Sequence, residues 1–282
     1  MIMKQSIAVL LTVHNRKTKT LECLQRLYAQ LPLNRYQVEV YLTDDGCTDG
    51  TPEAVRQQFP QVHIIHGDGN LFWNRGMHTA WQEAAKEDYD FYIWLNDDVF
   101  LKEDALTHII ECSKEKNNQH LISGLLSSSS DESFTPFGGR TKGKLIQANG
   151  NMQEIDHMNG NFVLIPRFVF KKLGFNDNYY THSYGDYDYS LSARKHQIKA
   201  YSTKKSVGIC DINHKTPKCF DSRVPLLKRL QLLHTPLSYS KPNEVFHFER
   251  KHKNISVAIY RYILVYIRCI FPWLWQLKKL KR

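Results

Sequence analysis

Apolar and polar positions along the chain change period in a repeating order. Residues 6–13, Ser-Ile-Ala-Val-Leu-Leu-Thr-Val, form a nearly continuous apolar run that predicts a buried strand. From about 18 to 30 the apolar positions Leu21, Leu24, Leu27, Tyr28 and Leu31 take helical spacing. Residues 38–43 predict a second strand, followed by a turn rich in Asp, Gly and Thr and a short helix opened by Thr51-Pro52. A third strand is expected at 62–65, a helix at 76–87 and a fourth strand at 91–95. Strands separated by helices of this length imply parallel β-α-β units, so the N-terminal half reads as an α/β sandwich with a mostly parallel central sheet.

Beyond residue 100 the pattern loosens. A helix near 103–116 and a strand at 121–122 precede the Ser-, Gly- and Lys-rich segment 127–151, which reads as a functional loop or an excursion from the sheet. Residues 161–165 return to strand character, and Leu191, Ala193 and Ile198 predict a short helix and strand. Residues 225–233 predict a basic amphipathic helix. The expected division is a domain of residues 1–240 and a helical tail of 241–282.

At 282 residues, 42% hydrophobic and 23% charged, the chain is long and apolar enough to bury a full core, which excludes disorder. Its net charge of +10 is unevenly placed: residues 241–282 hold ten basic and two acidic residues and so carry +8 of it. A nearly neutral body with a basic tail is a localised electrostatic device and a poor nucleic-acid binder, since no recognition motif accompanies the basic residues. The six cysteines are scattered without a C-x-x-C pair, which fits a reducing, cytoplasmic compartment. Residues 7–13 lack a small-residue cleavage site after them and read as a strand, not a signal peptide. Residues 255–277 are rich in Ile, Tyr, Phe and Trp, but Arg261, Arg268 and Pro272 divide them, and a membrane span needs about 20 mainly apolar residues. An interfacial helix fits, with Trp273 and Trp275 at headgroup depth and Lys278, Lys279, Lys281 and Arg282 on anionic lipid at the inner face of the cell membrane. The alternative is a helix that packs in the core or forms a homodimer seam.

Three acidic clusters carry the chemistry. Thr43-Asp44-Asp45-Gly46 and Asn96-Asp97-Asp98 each follow a predicted strand, and Gly185-Asp186-Tyr187-Asp188 precedes a predicted helix. Ligands of open α/β sheets bind outside the carboxyl ends of the strands, so acidic residues there suggest a binding cleft for a nucleotide, a divalent cation and a base.

Five segments, residues 12–16 (Thr-Val-His-Asn-Arg), 42–51 (Leu-Thr-Asp-Asp-Gly-Cys-Thr-Asp-Gly-Thr), 69–77 (Gly-Asn-Leu-Phe-Trp-Asn-Arg-Gly-Met), 95–99 (Leu-Asn-Asp-Asp-Val) and 185–194 (Gly-Asp-Tyr-Asp-Tyr-Ser-Leu-Ser-Ala-Arg), resemble the successive signatures of family-2 glycosyltransferases. The likeness spans residues 6 to 214 and implies a GT-A-like, Rossmann-type fold and inverting transfer from a nucleotide sugar, UDP- or dTDP-linked. It implies that Asp44 or Asp45 accepts the imide N–H of a pyrimidine, with Thr12, Asn15 and Arg16 nearby. Asn70 and Arg75 join the nucleotide site on the same likeness, Arg75 with Trp73 and Asn74 ahead of a helix whose N-terminus suits a diphosphate. Asp49 serves either as a helix cap or toward the ligand.

Asn96-Asp97-Asp98 stands where the family has D-x-D. The likeness makes Asp98 a ligand of Mg²⁺ or Mn²⁺, with Asn96 and Asp97 on the nucleotide side, and makes His214, 28 positions after Asp186, a second metal ligand or a bystander. It puts the catalytic base at Asp186, with Asp188 as the other candidate or as the cap of a helix beginning near Tyr189; family members often have Glu-Asp where this chain has Gly185-Asp186. The expected reaction is hexosyl or deoxyhexosyl transfer to a saccharide or lipid-linked saccharide acceptor, as in bacterial capsule and O-antigen assembly. Two rivals are a sugar-phosphate nucleotidyltransferase, which would want a glycine-rich loop in place of Val13-His-Asn-Arg16, and a non-catalytic membrane-docking protein.

Overall fold

The computed structural model describes residues 4–31, 36–211 and 217–274. The chain divides into two compact units, one of residues 1–177 and 185–212 and the other of residues 178–184 and 213–282.

In the first unit the elements run β1 (Gln5–Val13), α1 (Lys17–Tyr28), β2 (Tyr36–Asp44), α2 (Thr51–Gln58), β3 (His63–His66), α3 (Phe72–Ala84), β4 (Phe91–Leu95), β5 (Phe100–Leu101), α4 (Ala105–Glu115) and β6 (Leu121–Ser127). There follow β7 (Arg140–Thr141), β8 (Lys144–Leu145), β9 (Glu154–Ile155), β10 (Phe162–Pro166), α5 (Arg167–Leu173), α6 (Gly185–Lys195) and β11 (Ala200–Ile209). The main sheet has the order β3-β2-β1-β4-β10-β6-β11-β5, with β9 also on β11. Strands β3, β2, β1 and β4 are mutually parallel, and β10 enters antiparallel between β4 and β6.

Alternation along β1 explains the layers. Ile7, Val9 and Leu11 join Leu24 and Leu27 of α1, Val55 of α2 and Ile109 of α4 in one core, while Ala8 and Leu10 face Met77 and Trp81 of α3 and Tyr189 of α6 in the other. Both faces of the sheet are therefore covered, which is why its strands read as continuous apolar runs. Because β1, β2 and β4 are parallel, their carboxyl ends share one edge. Residues 14–16, 45–49 and 96–98 leave from it.

Three of the differences from the expected boundaries have a cause outside the local pattern. Helix α3 starts at Phe72, ahead of the expected 76, although Phe72 takes a φ of 56°, which a bulky side chain avoids. The Asp45 carboxylate compensates by accepting the N–H groups of Gly69, Leu71 and Phe72 at 2.9, 3.1 and 2.8 Å. Strand β6 extends to Ser127 because its residues pair with β11, a partner 79 positions or so away that no local period reveals. Helix α6 begins at Gly185, so Asp188 lies inside its first turn and does not cap a helix beginning near Tyr189.

The second unit contains a 3₁₀ turn at Lys218–Phe220 and the helices α7 (Leu226–Leu233), α8 (Pro242–His252) and α9 (Ile255–Ile270). Phe220, Leu233, Val245, Val265 and Cys269 form its core. Buried Glu249 accepts from Arg261 at 3.0 Å and pairs with Lys253 at 2.8 Å, tying α8 to α9. Asn254 caps α9 through the Val257 N–H, and the helix ends at Ile270, with Phe271 as its C-cap ahead of Pro272. Among the described residues no helix is long and apolar enough to cross a membrane.

Candidate active site

The first acidic cluster sits where β2 ends. Asp44 Oδ1 accepts the Cys47 N–H at 2.9 Å and Oδ2 lies 3.1 Å from His66 Nδ1. Burial alone lifts the Asp44 carboxyl, but the Cys47 N–H and His66 hold it below the usual carboxylate range. Asp45 next to it is committed: both its oxygens are taken by the three N–H groups that open α3. Of the two candidate acceptors for a base, Asp44 carries the fewer hydrogen bonds, from the Cys47 N–H and from His66, whose other ring nitrogen lies 2.8 Å from Arg56 Nη2. His66 itself escaped the sequence reading, because its place beside Asp44 follows from the β2–β3 register, in which the two are paired.

The β1–α1 loop closes over this cluster. His14 Nδ1 lies 2.6 Å from the Asp45 carbonyl, which only accepts, so Nδ1 carries the proton and Nε2 accepts from Asn15 at 3.2 Å. Asn15 Oδ1 in turn accepts the Thr48 N–H at 2.7 Å. Asp49 bonds the N–H groups of Lys17 and Thr51, at 2.9 and 3.1 Å, and so caps the starts of α1 and α2. Thr12 abuts α3 at Gly76, where a Cβ would come within 2.1 Å of the Thr12 hydroxyl; only glycine permits this approach. Asn70 is exposed, with its N–H on Asp68, and Arg75 is half-buried in the first turns of α3.

The second cluster sits where β4 ends. Arg16 Nη1 spans Asp97 Oδ1 at 3.1 Å and Asp98 Oδ2 at 2.8 Å. Thr20 also donates to Asp97, at 3.4 Å. Burial pushes the Asp97 carboxyl up to about 6 against the pull of the Arg16 guanidinium, and Asp98 beside it adds to the rise. Asn96 turns the other way: its amide oxygen accepts the Trp73 indole N–H at 2.7 Å.

That bond links the second cluster to the third. The Trp73 ring lies against Gly160, where a Cβ would meet it at 2.4 Å, and the Gly160 N–H donates to Asp186 Oδ2 at 3.0 Å. Gly160 is placed there by the antiparallel pairing of β10 with β4, which sets Phe162 opposite Leu95. A second N–H, that of Tyr187, reaches Asp186 Oδ1 at 2.8 Å. Asp186 is closely ringed by protein atoms yet keeps part of its surface open, and burial pushes its carboxyl up to about 6 while the two N–H groups pull back. Asp188 is buried at 2% exposure.

The departure from Glu-Asp at the third cluster has a steric counterpart. At Gly185 a Cβ would fall 1.7 Å from the Asn74 amide oxygen, and Asn74 is fully buried, bonded to Asn176 and the Asp177 carbonyl. Asn74 fills the space that a side chain at 185 would need. Asp44, Asp45, Asp97, Asp98 and Asp186 are thus joined through the start of α3, by way of Asp45, Trp73, Asn96 and Gly160. His214 lies outside the described residues. Gly160 was missed in the sequence, because it lies ahead of β10 and its close approach to Trp73 is set by tertiary packing.

The chain matches the model of the family described as glycosyl transferase family 2 over residues 8–174. No curated protein matches it. Among solved structures it is similar to the mannosyltransferase PcManGT from Pyrobaculum calidifontis in complex with GDP-Man and Mn²⁺, with a TM-score of 0.57 and 13% identity over 93% of this chain and 74% of the other. It is also similar to S. aureus TarS 1–349 in complex with UDP-GlcNAc, with a TM-score of 0.57 and 11% identity over 93% of this chain and 89% of the other. Against the longer S. aureus TarS structure, at TM-score 0.58 and 10% identity, this chain spans 54% of the length. At such identities the likeness speaks for the fold, a GT-A-type α/β sandwich with a mostly parallel sheet and C-terminal helices, as the residue pattern and the family resemblance together predicted. The family match covers more than half of the sequence and takes in the first two acidic clusters together with Trp73 and Gly160, so the chain belongs to glycosyl transferase family 2.

Proposed function

We propose that the chain is an inverting, metal-dependent glycosyltransferase that moves a sugar from a UDP- or dTDP-linked donor to a saccharide or lipid-linked saccharide. The observation that carries this reading is the run of contacts from the Asp97–Asp98 pair through Asn96 and Trp73 to Gly160 and Asp186. It brings a place for positive charge and a carboxylate of raised pKa to the carboxyl edge of the sheet.

Asp44 is the acceptor for the imide of a pyrimidine base, since Asp45 is occupied. Asp97 and Asp98 suit a hard divalent cation: their donor set is all oxygen, and a guanidinium nitrogen already stands within 3.1 Å of both carboxylates. When bound there, Mg²⁺ or Mn²⁺ would stabilise negative charge on the departing nucleoside diphosphate. The binding of Mn²⁺ with GDP-Man by one structural relative, and of UDP-GlcNAc by another, supports this assignment. Asp186 takes the proton of the attacking hydroxyl. The N–H groups of Gly160 and Tyr187 fix its orientation, and a carboxyl that titrates near 6 is ionised at neutral pH yet basic enough to accept a proton. The Trp73 ring, packed edge-on against Trp94, walls the site. Screening nucleotide sugars with Mn²⁺ tests the whole: a UDP- or dTDP-sugar at 100 times its Kd should stabilise the fold by about 2.7 kcal/mol and be slowly hydrolysed. Stabilisation by no nucleotide sugar would defeat the reading.

The second unit supports a membrane-surface acceptor. Ile255, Ile259, Ile263, Ile267 and Ile270 stand exposed on α9 at intervals of four and three residues, with Phe271 and Trp273 following. Such a stripe has no partner in water, and the basic residues near it suit anionic lipid. Arg261 is tied to Glu249, and the basic end beyond residue 274 lies outside the described residues, as does Trp275. The I259E/I263E double variant should lose at least about tenfold in sedimentation with anionic vesicles. Unchanged sedimentation would reject the membrane, and a dimer that falls to a monomer in the variant would make the stripe a dimer seam.

A further inference from the structure

Arg16 has no role in the reaction so far described, yet it occupies the place where the cation would act. Its Nη1 lies 3.1 Å from one oxygen of Asp97 and 2.8 Å from one of Asp98. A divalent ion held through these same two oxygens would compete with the guanidinium for them, and two cations so close repel each other. Guanidinium and ion are therefore alternatives. The carboxylates are the fixed partners, at 7% and 14% side-chain exposure, whereas the Arg16 side chain is 46% exposed. Its backbone is held, because the Arg16 carbonyl accepts the Thr20 N–H at 2.9 Å as α1 begins. The side chain alone has room to move.

We propose that Arg16 is an internal counter-cation of the Asp97–Asp98 pair, displaced by the divalent ion and then turned toward the diphosphate, so that cation uptake depends on arrival of the donor. Alone, the ion must break the two Arg16 contacts and leave the guanidinium unpaired. With a nucleoside diphosphate on the same ion, the released guanidinium gains an anion that its planar fork matches, and the two ligands bind cooperatively. The inference rests on the metal reading above and adds a residue that decides when the metal binds.

The test is Mn²⁺ binding to the full chain, followed by electron paramagnetic resonance with and without UDP. Arg16→Met should bind Mn²⁺ alone about tenfold more tightly than the unmodified chain, the size expected for loss of a partly exposed double ion pair. UDP should tighten Mn²⁺ at least about tenfold in the unmodified chain and less than about threefold in the variant. Lys17→Gln removes the same charge one residue away, touches neither carboxylate, and should leave Mn²⁺ affinity within about twofold because an exposed charge is screened. Arg16→Gln gives the same reading should Arg16→Met fail to fold. Equal Mn²⁺ affinity in the Arg16 variant and the unmodified chain, or a Lys17→Gln effect as large as that of Arg16→Met, overturns the proposal and leaves the metal site standing. Mn²⁺ bound by neither protein, with or without UDP, overturns both.

Discussion

Asp186→Asn should lower the transfer rate by about 10³-fold while nucleotide binding stays within about twofold, because the amide keeps the shape but cannot take a proton. The structure gives the reason for so large a loss. Asp186 is the acidic residue that combines an open face, two orienting N–H groups and a raised pKa, and it stands across Gly160 from the Trp73 wall. The pH dependence follows with a definite sign. Burial favours the neutral acid and moves the carboxyl up to about 6. Only the ionised form is a base, so kcat/KM should be level above that value and fall about tenfold per unit as pH drops below it. At saturating Mn²⁺, which keeps Asp97 ionised, the acid limb should vanish in Asp186→Asn, whose residual rate has no carboxyl there to titrate. Asp188→Asn makes the contrast. Asp188 is almost wholly buried inside the first turn of α6, so its loss should lower the unfolding midpoint and leave the acid limb in place. If instead Asp188→Asn removes the acid limb and Asp186→Asn keeps it, the base is Asp188.

Much of this was legible in the residues because the sheet is covered on both faces. Strands β1, β2 and β4 could be read from their apolar runs, and Asp44 and the Asn96–Asp98 turn could be placed at their carboxyl ends before any coordinates. Hidden from the sequence was everything set by register or by close approach. Whether Asp44 or Asp45 faces a ligand depends on which carboxylate the start of α3 consumes, and that depends on a left-handed Phe72 that no propensity predicts. The start of α6 at Gly185 was obscured for a similar reason: glycine has low helix propensity, and only the Asn74 side chain beside it shows why nothing larger fits. Arg16 looked like a nucleotide contact because its neighbours Thr12 and Asn15 belong to the same motif. That its guanidinium also reaches 81 and 82 residues along the chain, to Asp97 and Asp98, is set by the fold and not by the motif. The segment 178–184 belongs with the C-terminal helices although 28 residues of the first unit separate them, an arrangement that local periodicity does not record.

The other large effect concerns the cation. Asp98→Ala should weaken joint binding of Mn²⁺ and UDP by about 10²-fold, because it deletes the more accessible of two carboxylates that must together hold a hard ion. UDP without Mn²⁺ should bind both proteins alike, since Asp44, at the end of β2, is untouched. The same pair of ligands tests the central claim, that the acidic clusters share one site. Bound Mn²⁺ broadens the nuclear magnetic resonance signals of groups near it, so Mn²⁺ with UDP should broaden the Trp73 indole N–H and the Gly160 amide of the unmodified chain together. In Asp98→Ala both signals should stay sharp. If Mn²⁺ and UDP bind the unmodified chain while these two signals remain sharp, the cation lies elsewhere and the single site proposed here is contradicted.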